Sequence, residues 1–210
     1  MARPHRPRRP AMVDPRTLEQ VPGDQDPTMR AEVAHATAGV VVRSGRAAQD
    51  PAVVGRLVHL VESEGLDTVA ALWSDSPAGT LPGALWRMYA LREWVRRDPR
   101  TVAERYRAGM ARAEVHDAVA GVAAPPGPDE VRDVVDRVLA GVFDADLAVA
   151  LERAAAFCRV LAIGSAIDAD YVADSDVALA GQITRGASSL VRTAEELELA
   201  AALWRAGALE

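Results

Sequence analysis

A chain of 210 residues and 22.3 kDa, half of it apolar and a quarter charged, suits one domain with a tail and holds enough apolar material for a real core. Its single cysteine, Cys158, excludes an internal disulfide and a cysteine-rich zinc site, and no apolar run approaches the roughly 18 uninterrupted residues of a membrane span. The formal net charge is −6 and all 24 basic residues are arginine, which excludes every chemistry that needs a lysine amine: a pyridoxal Schiff base, a P-loop, a protein-kinase site or a Ser-Lys pair.

Residues 1–25 place Arg3, Arg6, Arg8 and Arg9 among prolines with no helical period, the composition of a disordered tail or an extended start. No apolar segment follows the first ten residues, so they do not read as a secretory signal, and a cytoplasmic location is the default expectation. From Asp26 onward the punctuation is helical. Asp26-Pro27, Asp50-Pro51 and Asp98-Pro99 each join a capping carboxylate to a first-turn proline, and Thr80 caps another helix with Pro82 in its first turn. Gly45, Gly65, Gly141 and Gly207 occupy positions suited to left-handed helix ends.

Apolar residues between these marks follow a 3.6-residue period, as in Val54, Leu57, Val58 and Val61, and no segment alternates as a strand would. The spacing predicts helices over 27–43, 51–64, 67–74, 81–97, 99–111, 113–121, 129–140, 145–165 and 176–206, the last allowing a break near Thr193. The expected fold is all-α: a compact bundle of eight or nine helices over 26–210, with a proline-rich connector near 123–128.

Ile183, Ala187, Leu190, Ala194, Leu197, Ala201 and Trp204 step by alternating fours and threes along the last helix. A seam this lean in side-chain volume suits close packing, either on the 145–165 helix with its Ala150, Ala154, Ala155 and Ala162, or on a second copy of the chain. The protein is accordingly expected as a monomer or a homodimer.

Arg87, Arg92, Arg96, Arg97, Arg100, Arg105, Arg107 and Arg112 fall in a stretch holding only Glu93, Asp98 and Glu104, whereas 113–180 carries 13 acids and 4 arginines. With Leu81, Leu85, Met88, Leu91 and Val95 turned inward, Arg92 and Arg96 are left on another face, and Glu93 can pair with Arg97. Arg87, Arg92, Arg96, Arg97 and Arg100 are therefore candidates for an anion-binding or partner-binding surface, since guanidinium forks match phosphate and carboxylate. Trp86, Tyr89, Trp94 and Tyr106 make these helices look packed rather than groove-reading, and with an overall pI near 5.3 a protein partner is favoured over nucleic acid.

Glu32 and His35 form one Glu-x-x-His pair, half of what a di-iron bundle needs. No second pair exists, His59 and Glu62 running in the reverse order, so neither a metal nor any other cofactor is expected. Asp168, Asp170, Asp174 and Asp176 cluster at a helix junction, but Val172, Ala173 and Leu179 stand where a calcium loop would place an oxygen ligand, a glycine and a glutamate, which leaves caps and a solvated turn. Cys158 sits among Ala154, Ala155, Phe157 and Leu161 as a small hydrophobe. No hydrolase elbow, zinc helix or dinucleotide fingerprint appears, and Gly164-Ser165 lacks the strand that a nucleophile elbow requires.

The segments 14–18 (DPRTL), 21–28 (VPGDQDPT), 32–37 (EVAHAT) and 80–94 (TLPGALWRMYALREW) resemble a small, functionally uncharacterised family of high-GC bacterial proteins, over about Asp14 to Trp204. Its members often bear the name of the DNA-directed RNA polymerase β subunit, and nothing in this chain is similar to that subunit's catalytic or bridging motifs. The resemblance implies a start near Met12 and carries over no active-site residue.

The expectation from sequence is a non-catalytic helical interaction or scaffold protein, with a transcription-associated role as its regulatory variant. The alternative is an enzyme or ligand carrier that gathers Glu32, His35, His59 and the arginines around a pocket between helices.

Overall fold

The computed structural model describes residues 26–48, 50–112, 127–144 and 146–209, and among these every regular element is a helix. In chain order they are α1 (Pro27–Ala48), α2 (Pro51–Val58), α3 (Leu60–Glu64), α4 (Leu66–Trp73), α5 (Leu81–Arg97), α6 (Pro99–Met110), α7 (Pro128–Asp144), α8 (Leu147–Ala173) and α9 (Val177–Arg205). The expected tail, the 113–121 helix and most of the proline-rich connector lie outside the described residues.

The capping chemistry operates as the local sequence dictates. Side-chain oxygens of Asp26, Asp50, Thr80 and Asp98 accept from the amides of Thr28, Ala52, Gly83 and Thr101 at 3.0, 2.8, 3.2 and 3.3 Å. Asp146 and Asp176 do the same for α8 and α9. Gly65 and Gly207 take the positive φ values, 87° and 68°, of helix-end glycines.

Gly45 and Gly141 do not end helices. Both lie inside them, and what they provide is closeness: a Cβ on Gly45 would lie 2.6 Å from Phe143 Cδ1, and one on Gly141 would touch Ala150. Other departures concern where helices break and end. The expected 51–64 helix breaks at His59, where φ −92° and ψ 18° leave the helical region. By contrast α9 runs unbroken through Thr193, and α8 continues past 165 to Ala173, so Asp168 and Asp170 belong to its last turns rather than to a loop.

The core is organised around α8. Ala148, Leu151, Ala154, Ala155, Phe157, Cys158 and Leu161 are all essentially inaccessible to solvent, so this helix is buried on more than one face. It packs on α6, α7 and, most extensively, α9. Ion pairs Glu152–Arg205 and Arg159–Glu198 fix α8 and α9 as an antiparallel hairpin. The crossing of α6 over α8 is unusually close. A Cβ on Gly164 would fall 1.7 Å from the Arg105 carbonyl oxygen and one on Gly109 would fall 2.0 Å from that of Val160, so only glycine fits at either position.

Candidate functional site

The basic stretch 87–112 and the acids elsewhere in the chain meet in the folded protein. Arg87 Nε donates to Glu196 at 2.6 Å, and Arg97 donates to Glu93 at 2.8 Å. Arg96 bridges Glu62 and Asp136 at 3.2 and 3.3 Å. Of the five arginines proposed as a partner-binding face, only Arg100 is exposed with no ion pair among the described residues.

Arg92 corrects the expectation most sharply. Placed by sequence on a face away from the core, it is 1% exposed. Its Nε donates to Asp136 Oδ1 at 2.6 Å, Nη1 to Glu62 Oε2 at 2.8 Å, and Nη2 meets His59 Nδ1 at 2.9 Å. His59 Nδ1 also lies 3.1 Å from Glu62 Oε1, so this atom accepts from Arg92 or donates to Glu62 according to the ring's tautomer. Two arginines face two carboxylates and charge balances locally, which is what lets the cation stay buried. Glu62 responds accordingly: burial pushes its carboxyl up, but hydrogen bonds from Arg92 and His59 and the charge of Arg92 outweigh that and hold it at about 2. Beside them the Tyr89 hydroxyl donates to the Leu57 carbonyl at 2.6 Å, and burial drives its phenol well above the ordinary range. The cluster ties the α2–α3 break to α5 and α7. Every charged group in it is satisfied.

A second polar group is not. Where α5, α6, α8 and α9 meet, a cleft of about 390 Å³ is lined by Trp94, Arg105, Ser165 and a face of α9. Ser165 is 2% exposed, and its hydroxyl has no hydrogen-bond partner among the described residues. An unpaired buried hydroxyl costs on the order of 1–3 kcal/mol, so it calls for an explanation. Among the described residues Arg105 is the cleft's only charged one. Its Nε and Nη2 reach the same atom, Asp168 Oδ2, at 2.9 and 2.8 Å. Nη1 has no partner among the described residues.

The α9 wall carries Gln182, Gly186, Ser189 and Thr193, one position before the seam residues Ile183, Ala187, Leu190 and Ala194. At Gly186 an added Cβ would meet nothing within 4 Å, so the absence of a side chain there keeps the cleft open rather than permitting close packing. The seam itself turns inward: Ala194, Leu197 and Ala201 are buried on α8, Ile183 and Ala187 are nearly so, and Trp204 lies half-buried beneath the Arg46 guanidinium, 5.0 Å from the ring centre.

The remaining candidates do not converge. Glu32 is exposed, and His35 bonds its own helix through Nδ1 and the Ala31 carbonyl at 2.7 Å. His35 lines a smaller groove with Arg30 and Asp75, while His59 belongs to the Arg92 cluster. No group of three or more His, Cys, Asp or Glu side chains placed to hold a metal occurs among the described residues. Asp176 caps α9 and Asp168 holds Arg105, which accounts for half of the aspartate cluster. Cys158 is wholly buried, and burial pushes its thiol up to about 12, which keeps it from acting as a thiolate. No described helix is long and apolar enough to cross a membrane.

Sequence reasoning weighed Ser165 only as a nucleophile and set it aside, missed Gly186, and saw Arg105 only as one arginine of eight. A signal for Ser165 was present: Ala154, Cys158, Leu161 and Ser165 step by 4, 3 and 4, which puts a hydroxyl at a core position of α8. Comparison of the chain with protein-family models, with curated proteins and with solved structures finds no match, so this cleft is interpreted from its own chemistry.

Proposed function

We propose that the protein is a small-molecule-binding helical bundle, with the cleft between α5, α6, α8 and α9 as its ligand site. The observation that carries this reading is the Ser165 hydroxyl, buried and unpaired at the wall of a cavity large enough for a ligand. The volume, about 390 Å³, falls in the roughly 300–1,000 Å³ range of ligand sites, and the wall combines apolar surface from Trp94, Leu179, Ile183 and Leu190 with a few convergent polar groups. A second cavity of about 410 Å³, between α1, α3 and α4, is lined by apolar groups such as Val40, Val41, Leu60 and Leu72, and its buried polar atom is used: Trp73 Nε1 donates to Thr37 at 3.0 Å. It lacks the feature that marks the first.

Binding rather than catalysis suits the geometry. A serine nucleophile needs a base within hydrogen-bond reach, and among the described residues no imidazole or carboxylate lines the cleft. The engaged arginines and the inward seam leave the interaction reading with less to rest on than the cleft has.

Gly186 provides the test. A Cβ there meets nothing within 4 Å, so leucine can be added without a clash at its root; it improves helix propensity by about 1 kcal/mol over glycine and extends into the cleft. In a thermal-shift screen of small molecules, compounds that raise the wild-type midpoint should leave Gly186→Leu unmoved. A ligand at a hundred times its dissociation constant contributes about 2.7 kcal/mol, well within detection. Equal responses from the two proteins would place binding elsewhere and remove the proposal.

A further inference from the structure

We infer, resting on that reading of the cleft, that its ligand is a monocarboxylate carried on an apolar or aromatic body. Four observations converge on this class. Among the described residues the cleft's single charged group is a guanidinium, while the acids Glu104 and Asp168 line a separate groove that Arg105 also borders. Asp168 engages that guanidinium from one side only, with Nε and Nη2 both directed at one oxygen. The outer edge, formed by Nη1 and the second proton of Nη2, remains a planar two-donor fork, the complement of a carboxylate. Ser165 supplies a third donor on the same cleft wall, where the α6–α8 crossing brings the Arg105 backbone against Gly164.

The charge balance narrows the choice further. Asp168 already offsets the charge of Arg105 while leaving its outer donors unused, and the chain has no lysine to add a second cation. A phosphate dianion would bring two charges to donors whose own charge is already offset, a monoanion only one, and the monoanion's body would cover Trp94, Leu179, Ile183 and Leu190. Gln182, Ser189 and Thr193 line the α9 wall and would meet any polar substituent the body carries.

The experiment compares 4-phenylbutanoate with 4-phenylbutanamide by calorimetric titration of the full chain at neutral pH, where the acid is ionised. The two share shape and body, so their ratio isolates the charge. The acid should bind about tenfold more tightly, as expected when a neutral hydrogen bond becomes charge-assisted. Arg105→Met should bring the acid down to the level of the amide, while Asp168→Asn, which releases the guanidinium, should tighten the acid and leave the amide alone. Inorganic phosphate should not displace the acid.

Equal affinities for acid and amide, with both abolished by Gly186→Leu, would overturn the carboxylate class and leave the ligand site standing. Displacement by phosphate would overturn the class as well. Failure of both compounds to bind would remove the site along with the class. Because the acid-to-amide ratio is measured on the unsubstituted protein, the inference stays falsifiable even if Arg105→Met does not fold.

Discussion

Arg92 and Arg105 stand on consecutive helices, and each faces a carboxylate from a distant part of the chain. Arg92 is buried and saturated: Asp136, Glu62 and His59 occupy its nitrogens, and Arg96 completes a neutral quartet of charges. Arg105 is held by one oxygen of Asp168 and lines an open cleft with Ser165, whose hydroxyl has no partner among the described residues. The same residue type therefore serves two ends. A polar cluster that satisfies all its members specifies how helices dock, while one that leaves donors unpaired retains capacity for something that is not part of the chain.

The largest effect that can break this comparison is loss of Arg92. Arg92→Met keeps much of the volume but leaves Glu62 and Asp136, part-exposed and still bridged by Arg96, without their buried donor, and losing such charged hydrogen bonds costs about 1–3 kcal/mol. Urea denaturation should show it. A cost below about 1 kcal/mol would mean that the cluster is an ordinary surface network and that the contrast is false.

A smaller effect, of opposite sign, is expected at the cleft. Ser165→Ala removes a buried hydroxyl that has no partner among the described residues, so stability should hold or rise by up to about 1 kcal/mol in the same assay. A loss of more than about 1 kcal/mol would show that this hydroxyl already has a structural role, and the cleft would lose its distinguishing feature.

A pH-dependent effect sharpens the Arg92 side of the comparison. The Glu62 carboxyl titrates at about 2 in the folded protein against an ordinary 4.5, so the folded state favours its ionised form. Its contribution is complete above about pH 4.5 and drains away as pH falls through about 2. Thermal midpoints of wild type and Glu62→Gln should differ at neutral pH and converge across that window. A difference that persisted unchanged to pH 2 would assign the effect to shape rather than charge.

Caps were the most legible features. Asp26, Asp50, Thr80 and Asp98 each bond an amide within their own helix's first turn, so local chemistry decides them without reference to any other element. Gly45 and Gly141 were misplaced for the converse reason. A glycine ending a helix and a glycine admitting a neighbour look the same in one dimension, and only Phe143 and Ala150, from other helices, distinguish them. The burial of Arg92 left a trace in the sequence, since Leu81, Leu85, Met88, Arg92 and Val95 step by 4, 3, 4 and 3. Reading the charge as a sign of exposure hid it, because the compensating acids come from α3 and α7.

By itself, the sequence determined the all-helical architecture, the position of most helix starts, the Glu93–Arg97 pair and the seam on α9, all governed by interactions that close within a few turns. Only the tertiary structure decided what the seam packs against, which arginines are consumed by the fold and which one lines a cleft, because these outcomes depend on charges and volumes brought together from opposite ends of the chain. The segregation of arginines in 87–112 from many of the acids is the clearest case. Along the sequence it suggested a surface for another molecule, and in the folded chain much of it is the protein's recognition of itself.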